Sequence, residues 1–446
     1  MLKAFNNYTP PAALTGSMRD YRYPKGSDLE ARVAGFFKWQ NLRRQHGLWP
    51  FSRSTEESPS TVCAARDDAG GKIHGVNFAS QDYLSMSTNP VIKKVAQDVI
   101  EEFGVHSAGS AALLGNTHHS VLLERKIADF LGMPEAILFP TGWAAGYGII
   151  KGLVRSTDHI VMDSLAHTCL QEGASAATRN IYLFRHNMVG ECRKWLEKIR
   201  AKDQENGIMV VIESLYSMDS DVPDIAAMQA LCDEFDATLM VDVAHDLGNL
   251  GDDGRGHIGM QGMLGKVDLV MGSFSKTFGS NGGFVACRSR EVKEYLRFFS
   301  PPCTFSNALS PMQAATVLKA FEIIESVEGA ELRNKLMTNV LSLRRQLVEA
   351  GFEVYGEPSA IVCVKVGTEG LARLVSRRLP EVGLIANLVE FPAVPKGQAR
   401  FRMQVMANHT PQNIRDAVQR LKDAYEVGHA EFETLNAEPE SMRATA

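Results

Sequence analysis

The chain has 446 residues, of which 45% are hydrophobic and 22% are charged, a composition typical of globular proteins with ample core. Its 47 basic residues nearly balance its 52 acidic residues, and this net charge of -5 argues against nucleic acid or an anionic membrane as the main partner. No stretch reaches about 18 uninterrupted apolar residues, so the sequence predicts no integral membrane segment.

The seven cysteines are scattered and form neither a CxxC pair nor a zinc-binding spacing. An odd, unpatterned set is typical of reduced thiols, so we expect a cytoplasmic protein with no disulfide framework and no metal site. Residues Met1–Asn6 also lack the apolar core of a signal peptide.

Residues 1–72 are polar and mixed, and we interpret them as an N-terminal arm rather than a domain. A helical pattern covers Glu30–Gly47 in this arm. The Ser/Glu/Pro-rich stretch Ser52–Ser60 is typical of loops.

Residues 73–325, the predicted large domain, alternate short apolar runs with amphipathic stretches such as Asp224–Phe235. The predicted strands are Ala136–Phe139, His159–Met162, Ile181–Phe184, Met209–Ile212, Thr238–Val241, Leu269–Gly272 and Gly283–Ala286. Strands and helices in alternation predict an α/β fold with a mainly parallel central sheet covered by helices on both faces. Active sites in such sheets lie beyond the carboxyl ends of the strands.

Residues 326–430 are expected to form a smaller C-terminal α+β domain, followed by a flexible polar tail over residues 431–446. The pattern predicts helices and strands at Gly329–Ala350, Phe352–Tyr355, Ala360–Val366, Glu369–Leu379 and Pro411–Tyr425. The chain shows no internal repeat and no low-complexity segment.

An acid and a lysine follow two successive strands of the predicted sheet. Asp242 ends the run that begins at Thr238, and Lys276 lies in the Ser/Gly-rich turn Gly272–Gly279 after the next strand. This pair is what pyridoxal phosphate (PLP) chemistry needs: the lysine forms a Schiff base with the aldehyde, and the carboxylate pairs with the ring nitrogen. Taken singly, Asp242 is as well explained as a helix cap and Lys276 as a surface lysine.

Other polar residues follow neighbouring strands. The turn at Gly142 opens a helix whose backbone N–H groups suit phosphate, although such starts more often reflect close packing. An imidazole at His167 could stack on a planar cofactor, and Ser217 could donate to its ring oxygen, but structural histidines and ordinary loop serines are commoner. In the smaller domain, Arg402 could grip a substrate carboxylate, whereas exposed strand arginines are the usual case.

Together these motifs resemble the α-oxoamine synthase family of fold-type I PLP enzymes, which includes 8-amino-7-oxononanoate synthase, 2-amino-3-ketobutyrate CoA ligase, 5-aminolevulinate synthase and serine palmitoyltransferase. The likeness runs from about Asn77 to about Ala424. The segments that carry it are Asn77–Leu84, the turn at Gly142, Phe184–Asn187, Glu213–Asp219, Val241–His245, Gly254–Gly256, Gly272–Gly283 and Phe391–Arg402.

The resemblance implies a role for each candidate residue. Lys276 would carry PLP and Asp242 would face its ring nitrogen. The other cofactor contacts would be His167 stacked on the ring, His245 and Ser217 at the ring oxygen, and Gly142, Trp143, Ser273 and Ser306 at the phosphate. Arg402 would bind the substrate carboxylate, and Gln81 would lie near the substrate. Ser306 would reach the phosphate of the partner subunit, because family members are homodimers with the active site at the interface.

The implied reaction is a decarboxylative condensation of a small amino acid with an acyl thioester, carried by CoA or an acyl carrier protein, which gives an α-amino ketone. Lys276 would remove the α-proton. With glycine, in the manner of the ligase branch, turnover could also omit the loss of CO₂. Other fold-type I reactions, such as an aminotransferase or lyase, and a non-catalytic partner subunit stay open as alternatives.

Several positions depart from the family pattern. Gly146 stands where asparagine is usual, Asn307 where threonine is usual, and Gln81 where asparagine is usual. Ala111 replaces an arginine common in housekeeping members, and Trp143 is similar to the autoinducer-synthase branch. These changes leave the core chemistry in place but leave both substrates, and the role of the arm, undetermined.

Overall fold

All seven strands predicted between Ala136 and Ala286 form, each within one residue of its predicted bounds, in the computed structural model, which describes residues 9–437. The strands are β1 (Ser54–Thr55), β2 (Val62–Arg66), β3 (Lys72–Asn77), β4 (Glu135–Phe139), β5 (His159–Asp163), β6 (Ile181–Phe184), β7 (Ile208–Glu213), β8 (Thr238–Asp242), β9 (Leu269–Ser273), β10 (Gly283–Cys287), β11 (Val354–Tyr355), β12 (Ile361–Gly367), β13 (Leu384–Ile385), β14 (Asn387–Val389) and β15 (Ala399–Gln404).

The helices alternate with these strands through the middle of the chain. They are α1 (Pro11–Leu14), α2 (Ala34–Gln45), α3 (Pro90–Phe103), α4 (His118–Leu131), α5 (Gly142–Leu153), α6 (Thr168–Ala177), α7 (Val189–Arg200), α8 (Ile225–Glu234), α9 (Gly256–Met260), α10 (Arg290–Phe299), α11 (Pro301–Thr304), α12 (Pro311–Ile324), α13 (Val327–Glu349), α14 (Glu369–Val382) and α15 (Pro411–Ala437). Short 3₁₀ turns cover Met18–Tyr21, Ala31–Val33 and Met86–Thr88. Among residues 9–437, no helix has the length and apolar character needed to cross a membrane.

The described residues divide into two compact units. The first comprises the chain up to Ser80, the short segment Met218–Ser220 and the chain from Leu336 onward; the second comprises Gln81–Ser217 and Asp221–Lys335. The predicted boundaries near residues 72, 325 and 430 stay a prediction. The predicted tail coincides with α15 as far as Ala437, and residues 1–8 and 438–446 lie outside the described part.

The second unit is built on a seven-stranded sheet in the order β4-β10-β9-β8-β7-β5-β6. Strands β9, β8, β7, β5 and β6 pair in parallel, which confirms the mainly parallel sheet. Strand β10 runs antiparallel to both β4 and β9. The segment between β9 and β10 is too short to hold the crossover that a parallel connection requires, so the chain reverses there.

Every residue of β5, β7 and β9 is buried, as expected for strands covered on both faces. One apolar cluster joins Met162 and Met271 of the sheet to Ile149 of α5 and Leu170 of α6. This packing holds the carboxyl ends of β5, β7, β8 and β9 along one edge, where the predicted acid and lysine lie.

The first unit contains two four-stranded sheets, β1-β2-β3-β13 and β11-β12-β15-β14. The predicted arm is part of this unit, because Ala13 and Leu48 pack into an apolar cluster with Leu374 of α14 and Phe432 of α15. Strands β1 and β2 form inside the arm, where the sequence predicted only a helix and loops. Their shortness left little periodic signal, although Cys63 and Ala65 do face inward in alternation.

Candidate active site

The two side chains that the sequence singles out follow adjacent parallel strands. Asp242 is the last residue of β8, and β8 pairs with β9, the strand that leads into the turn of Lys276. Asp242 is buried, and its Oδ1 accepts a hydrogen bond from the N–H of Ala244 at 2.8 Å. Burial raises the pKa of Asp242, and the nearby charges of Lys276 and then His167 oppose the rise. The three predicted groups therefore lie within electrostatic reach of one another.

Aromatic packing and side-chain hydrogen bonds hold the turn that carries Lys276 in place. Phe274 and Phe278 are buried beside it and pack edge to face, with ring centroids 5.6 Å apart. Asn249 ties the turn to the segment after β8, because its Nδ2 donates to Thr277 Oγ1 at 2.9 Å and to the carbonyl of His245 at 3.0 Å. A lysine held on such a turn has little freedom to leave the strand ends.

The start of α5 lies directly against the end of β9. A Cβ on Gly142 would come within 2.3 Å of both Cβ and Oγ of Ser273, so only glycine allows this approach. Thr141 caps the helix by accepting from the N–H of Ala144 at 3.0 Å. Trp143 is half exposed and stacks on Tyr147 with centroids 5.3 Å apart. Backbone donors and a serine hydroxyl thus converge where a phosphate was predicted.

His167 caps the next helix, α6. Its Nδ1 accepts from the N–H of Cys169 at 3.3 Å and lies 3.0 Å from the Cys169 sulfur. Its own backbone N–H donates to the carboxylate of Glu213, and its side chain is exposed. These bonds place an imidazole beside the acid and lysine without burying it.

His245 follows Asp242 by one turn and is buried. Its Nδ1 lies 3.1 Å from the hydroxyl of Tyr83, which is also buried. Ser217 follows β7 and is buried. Its predicted role is to donate a hydrogen bond to a cofactor ring oxygen. Tyr83 was part of a recognised motif but was not predicted to contact His245.

Two buried acids beside the site were not predicted. Glu213 ends β7 and is the register partner of Asp242 across the β7–β8 pair. Burial, and then the charge of Asp242, raises the pKa of Glu213 well above its ordinary value. Asp163 ends β5 and bonds to His186 Nδ1 at 3.0 Å, while Asp221 bonds to the other ring nitrogen at 2.5 Å. Their place at strand ends was the signal that could have found them.

Ser306 and Gln81 both lie in the second unit. Ser306 Oγ donates to the carbonyl of Pro302. The side-chain oxygen of Gln81 is buried and has no hydrogen-bond partner in the described part of the chain. The assignments of both residues stay predictions.

Arg402 lies in the first unit, on β15, beside a second arginine with a different setting. Arg400 is buried, donates to the carbonyl of Met218 at 2.9 Å and to Asp219, and lies over the ring of Tyr355. Arg402 contacts the sulfur of Met218 at 3.9 Å, and its buried Nε has no hydrogen-bond partner among the described residues. Neither is the exposed strand arginine that the sequence left open.

Comparisons with known proteins decide the family. The model of the class I and II aminotransferases matches residues 73–421. The chain is 32% identical over 394 residues to 2-amino-3-ketobutyrate coenzyme A ligase of Salmonella typhimurium, covering 88% of this chain and 94% of that protein. It is 32% identical over 407 residues to serine palmitoyltransferase of Sphingobacterium spiritivorum, with 91% and 98% covered. It is 34% identical over 397 residues to 8-amino-7-oxononanoate synthase of Geotalea daltonii, with 89% and 96% covered.

The chain belongs to the α-oxoamine synthase family. It is therefore a PLP-dependent enzyme of the acyltransferase type, and the predicted family, fold and cofactor are confirmed. Solved structures agree: serine palmitoyltransferase of Sphingomonas wittichii has a TM-score of 0.84 at 27% identity, covering 91% of this chain and 100% of that one. Serine palmitoyltransferase of S. paucimobilis with a bound PLP-myriocin aldimine has a TM-score of 0.83 at 29% identity, covering 90% and 100%.

The residues of this α-oxoamine synthase suit PLP on physical grounds. Asp242 is a buried carboxylate whose burial cost exceeds the stabilisation from Lys276, and a protonated ring nitrogen would supply the missing positive charge. Gly142 brings the N-terminus of α5 directly against Ser273, and backbone N–H groups at a helix N-terminus suit a phosphate. The amine of Lys276 completes the set of groups that the cofactor requires.

Proposed function

We propose that this chain condenses a small amino acid with an acyl thioester, with loss of CO₂, to give an α-amino ketone. The observation that carries the proposal is the grouping of Asp242 and Lys276 after adjacent strands, with His167 within electrostatic reach and the cradle of Gly142 and Ser273 at the end of the strand that precedes Lys276. PLP, when bound, supplies the electron sink that stabilises the carbanion formed at the amino acid's α-carbon.

Each residue has a distinct task in this proposal. Asp242 faces the ring nitrogen and keeps it protonated, because a buried carboxylate stabilises a neighbouring cation. Lys276 carries the cofactor and then removes the α-proton through Nζ. His167 lies against the face of the ring and keeps it planar. His245, oriented by the hydroxyl of Tyr83, binds the ring oxygen.

The remaining assignments concern the phosphate and the substrate. We assign the phosphate to the backbone at Gly142 and Trp143 and to the hydroxyl of Ser273, with Ser306 reaching a partner subunit. Ser217 joins His245 at the ring oxygen. Arg402 binds the substrate carboxylate, a role supported by its buried Nε, which has no hydrogen-bond partner in residues 9–437.

The substrates are drawn from a narrow chemical range. The names of the relatives refer to serine and a palmitoyl group, to 2-amino-3-ketobutyrate and coenzyme A, and to 8-amino-7-oxononanoate, and we propose glycine, serine and alanine as the amino acids to test. The acyl group is carried by CoA or by an acyl carrier protein. Gly146, Ala111, Asn307 and Gln81, where the chain departs from the family pattern, are the positions that distinguish its substrate from those of its relatives.

A homodimer is part of the proposal. The segment around Ser306 exposes large apolar side chains: Phe305 is 86% exposed, and Leu114, on a neighbouring loop, is 95% exposed. The two loops are joined, since Ser110 forms an isolated bridge with Asn307. Side chains of this kind are covered when a second copy binds. Light scattering on a size-exclusion column is expected to give twice the chain mass, and a monomer that turns over would contradict the shared site.

We also propose a cytoplasmic location. All seven cysteines are free and buried, and none is positioned in a disulfide. Reduced thiols of this kind are typical of reducing compartments. Tagged protein found in an oxidising compartment would contradict the proposal.

The deciding experiment is a matrix of glycine, serine and alanine against acyl thioesters of different length, on CoA and on acyl carrier protein. Release of free thiol, together with CO₂ from carboxyl-labelled amino acid, is the expected result for one pair. A fold-type I aminotransferase or lyase would instead react with the amino acid without consuming thioester. A non-catalytic subunit would release no thiol with any pair, and it would remain colourless after addition of PLP.

A further inference from the structure

Cys169 makes an unusual pair of contacts with His167. Its backbone N–H and its sulfur both approach the same ring nitrogen, Nδ1, at 3.3 and 3.0 Å. Cys169 itself is buried in the apolar cluster between α5, α6 and the sheet, while the imidazole is exposed. The thiol thus contacts the Nδ1 edge of the ring from the buried side of that edge.

The backbone contact fixes the direction of the thiol contact. A backbone N–H can only donate, so Nδ1 of His167 must present its lone pair. When the ring is neutral, the thiol of Cys169 therefore donates to the same lone pair, and the proton of that neutral form lies on Nε2. Burial, and then the negative charge of Asp242, raises the pKa of Cys169, which keeps it a thiol.

These two bonds also fix which edge of the ring faces the protein. Rotating the imidazole of His167 by half a turn about its Cβ–Cγ bond would put a carbon where Nδ1 now accepts both hydrogen bonds. Both bonds would be lost, so one orientation of the ring is favoured over the other.

Room for the sulfur comes from the facing helix. A Cβ on Gly146 of α5 would lie 2.6 Å from the Cys169 sulfur, 2.9 Å from Leu170 Cδ2 and 3.0 Å from Met271 Cε. Any side chain at this position would displace the thiol from His167. Gly146 is one of the positions at which this chain departs from the family pattern, and Cys169 is the residue that uses the space.

We propose that Cys169 is a positioning residue that fixes the orientation and tautomer of the His167 ring, and that Gly146 makes this contact possible. The inference rests on the proposed placement of His167 against the cofactor ring, and it adds two residues to that site. Cys169 does not touch the reacting atoms; it acts through the imidazole. The proposal concerns this chain's own pairing of a glycine on α5 with a cysteine on α6.

The test compares Cys169→Ser and Cys169→Ala in the PLP-loaded enzyme, with Cys232→Ala as a matched control for loss of a buried thiol elsewhere. Serine keeps a donor, so kcat is expected within about twofold of the native value, whereas alanine is expected to lose about three- to tenfold. The visible circular dichroism of the bound cofactor, which reports the orientation of its ring, is expected to change in Cys169→Ala and to be restored in Cys169→Ser.

A purely packing role predicts the opposite order, because alanine suits an apolar pocket better than serine. Melting temperatures of the cofactor-free variants measure that packing term separately. If Cys169→Ser is worse than Cys169→Ala in kcat, or if the dichroism of Cys169→Ala matches the native and Cys232→Ala proteins, the inference is overturned. A native chain that forms no visible cofactor band would instead contradict the proposed function itself.

A double-mutant comparison tests Gly146. Its added Cβ displaces the thiol, so Gly146→Ala is expected to change kcat and the visible dichroism as Cys169→Ala does. The double variant Gly146→Ala/Cys169→Ala is expected to be no worse than either single variant, since both remove the same contact. Losses that multiply in the double variant would show independent effects and would contradict the pairing.

Discussion

Glu390 and Asp242 expose the same 6% of their surface, yet their surroundings differ. In the first unit, Glu390 accepts from Arg43 at 3.2 Å and from Arg373 at 2.7 Å, and both arginines are fully buried. Arg43 lies over the ring of Trp39, and Arg373 donates to the carbonyl oxygens of the arm. Each carboxylate oxygen of Glu390 is thus bonded to a buried arginine, and these bonds hold the arm to the unit.

Asp242 in the second unit is compensated only in part. Burial outweighs Lys276 and His167, so the pKa of Asp242 stays above its ordinary value. The comparison teaches that a buried carboxylate bonded to arginines through both oxygens serves the architecture, whereas one whose burial is incompletely compensated indicates a ligand site. Arg400 and Arg402 repeat the contrast on one strand, since Arg400 is engaged on several sides and the Nε of Arg402 is not, within residues 9–437.

The largest effect is expected from Lys276→Ala, which removes the amine beside the incompletely compensated acid. Turnover is expected to vanish, because neither cofactor attachment nor proton removal has a substitute, and the visible absorbance of bound PLP is expected to disappear. Lys94→Ala, at an exposed lysine, is the control and is expected to match the native enzyme. Turnover retained in Lys276→Ala would break the assignment.

Glu390→Gln tests the cluster that Glu390 forms with Arg43 and Arg373 in the first unit. The substitution leaves Arg43 and Arg373 buried without an anion, and breaking a buried pair in this way costs about 3–5 kcal/mol of unfolding free energy. Denaturant unfolding measures the loss. The control Glu349→Gln removes an exposed pair with Arg345 and is expected to cost no more than about 0.5 kcal/mol. Equal losses in the two variants would remove the distinction.

Arg402→Lys and Arg400→Lys separate the two strand arginines. Lysine at position 402 loses the planar fork that binds a carboxylate, so KM for the amino acid is expected to rise about tenfold or more at little change in kcat. Lysine at position 400 loses the contacts with Met218 and Tyr355, so the melting temperature is expected to fall instead. A reversed pattern would contradict the assignment of Arg402.

His186 extends the comparison to pH. Burial alone would lower its pKa, but the hydrogen bonds to Asp163 and Asp221 raise it to about 10. Because the folded pKa lies above that of the unfolded chain, the stabilisation is complete below about pH 6.5 and is lost as pH rises through about 10. The free energy of unfolding of the native chain is expected to exceed that of His186→Gln by about 1–3 kcal/mol at pH 6 and by less at pH 10. A gap that widens with pH would contradict the pairing.

Glu213→Gln is expected to have the smallest effect. Burial and then the charge of Asp242 raise the pKa of Glu213 well above its ordinary value and so favour its neutral form, whose shape glutamine preserves while still accepting the N–H of His167. Unfolding free energy is expected to change by less than about 1 kcal/mol and kcat by less than about threefold. The matched variant Asp242→Asn removes a needed charge and is expected to cost far more. Similar losses would show that Glu213 is ionised as well.

The sequence predicted the central sheet and its site because both depend on local signals. Buried strands give uninterrupted apolar runs, and Asp242 and Lys276 each follow such a run directly. Gly142 was found for the same reason, as a turn between a strand and a helix. The antiparallel direction of β10 could also have been predicted, because the loop before it is too short for a crossover connection.

What the sequence did not predict depends on contacts between distant segments. The bond of Tyr83 to His245, the pairing of Glu213 with Asp242 across two strands and the cluster around Glu390 each need the register or packing of the folded chain. The arm illustrates the limit. Its polar composition indicated loops. The structure buries some of these polar residues, such as Arg43, in the core, and the sequence alone does not show which arginines are buried.

The most direct measurement identifies the lysine that holds PLP. Borohydride reduction of the loaded enzyme fixes the cofactor to the amine that carries it, and mass spectrometry of a digest then locates the modified residue. The account predicts a phosphopyridoxyl group on Lys276, at full occupancy in the native chain and lost in Lys276→Ala. Labelling of another lysine, or of none, would contradict it.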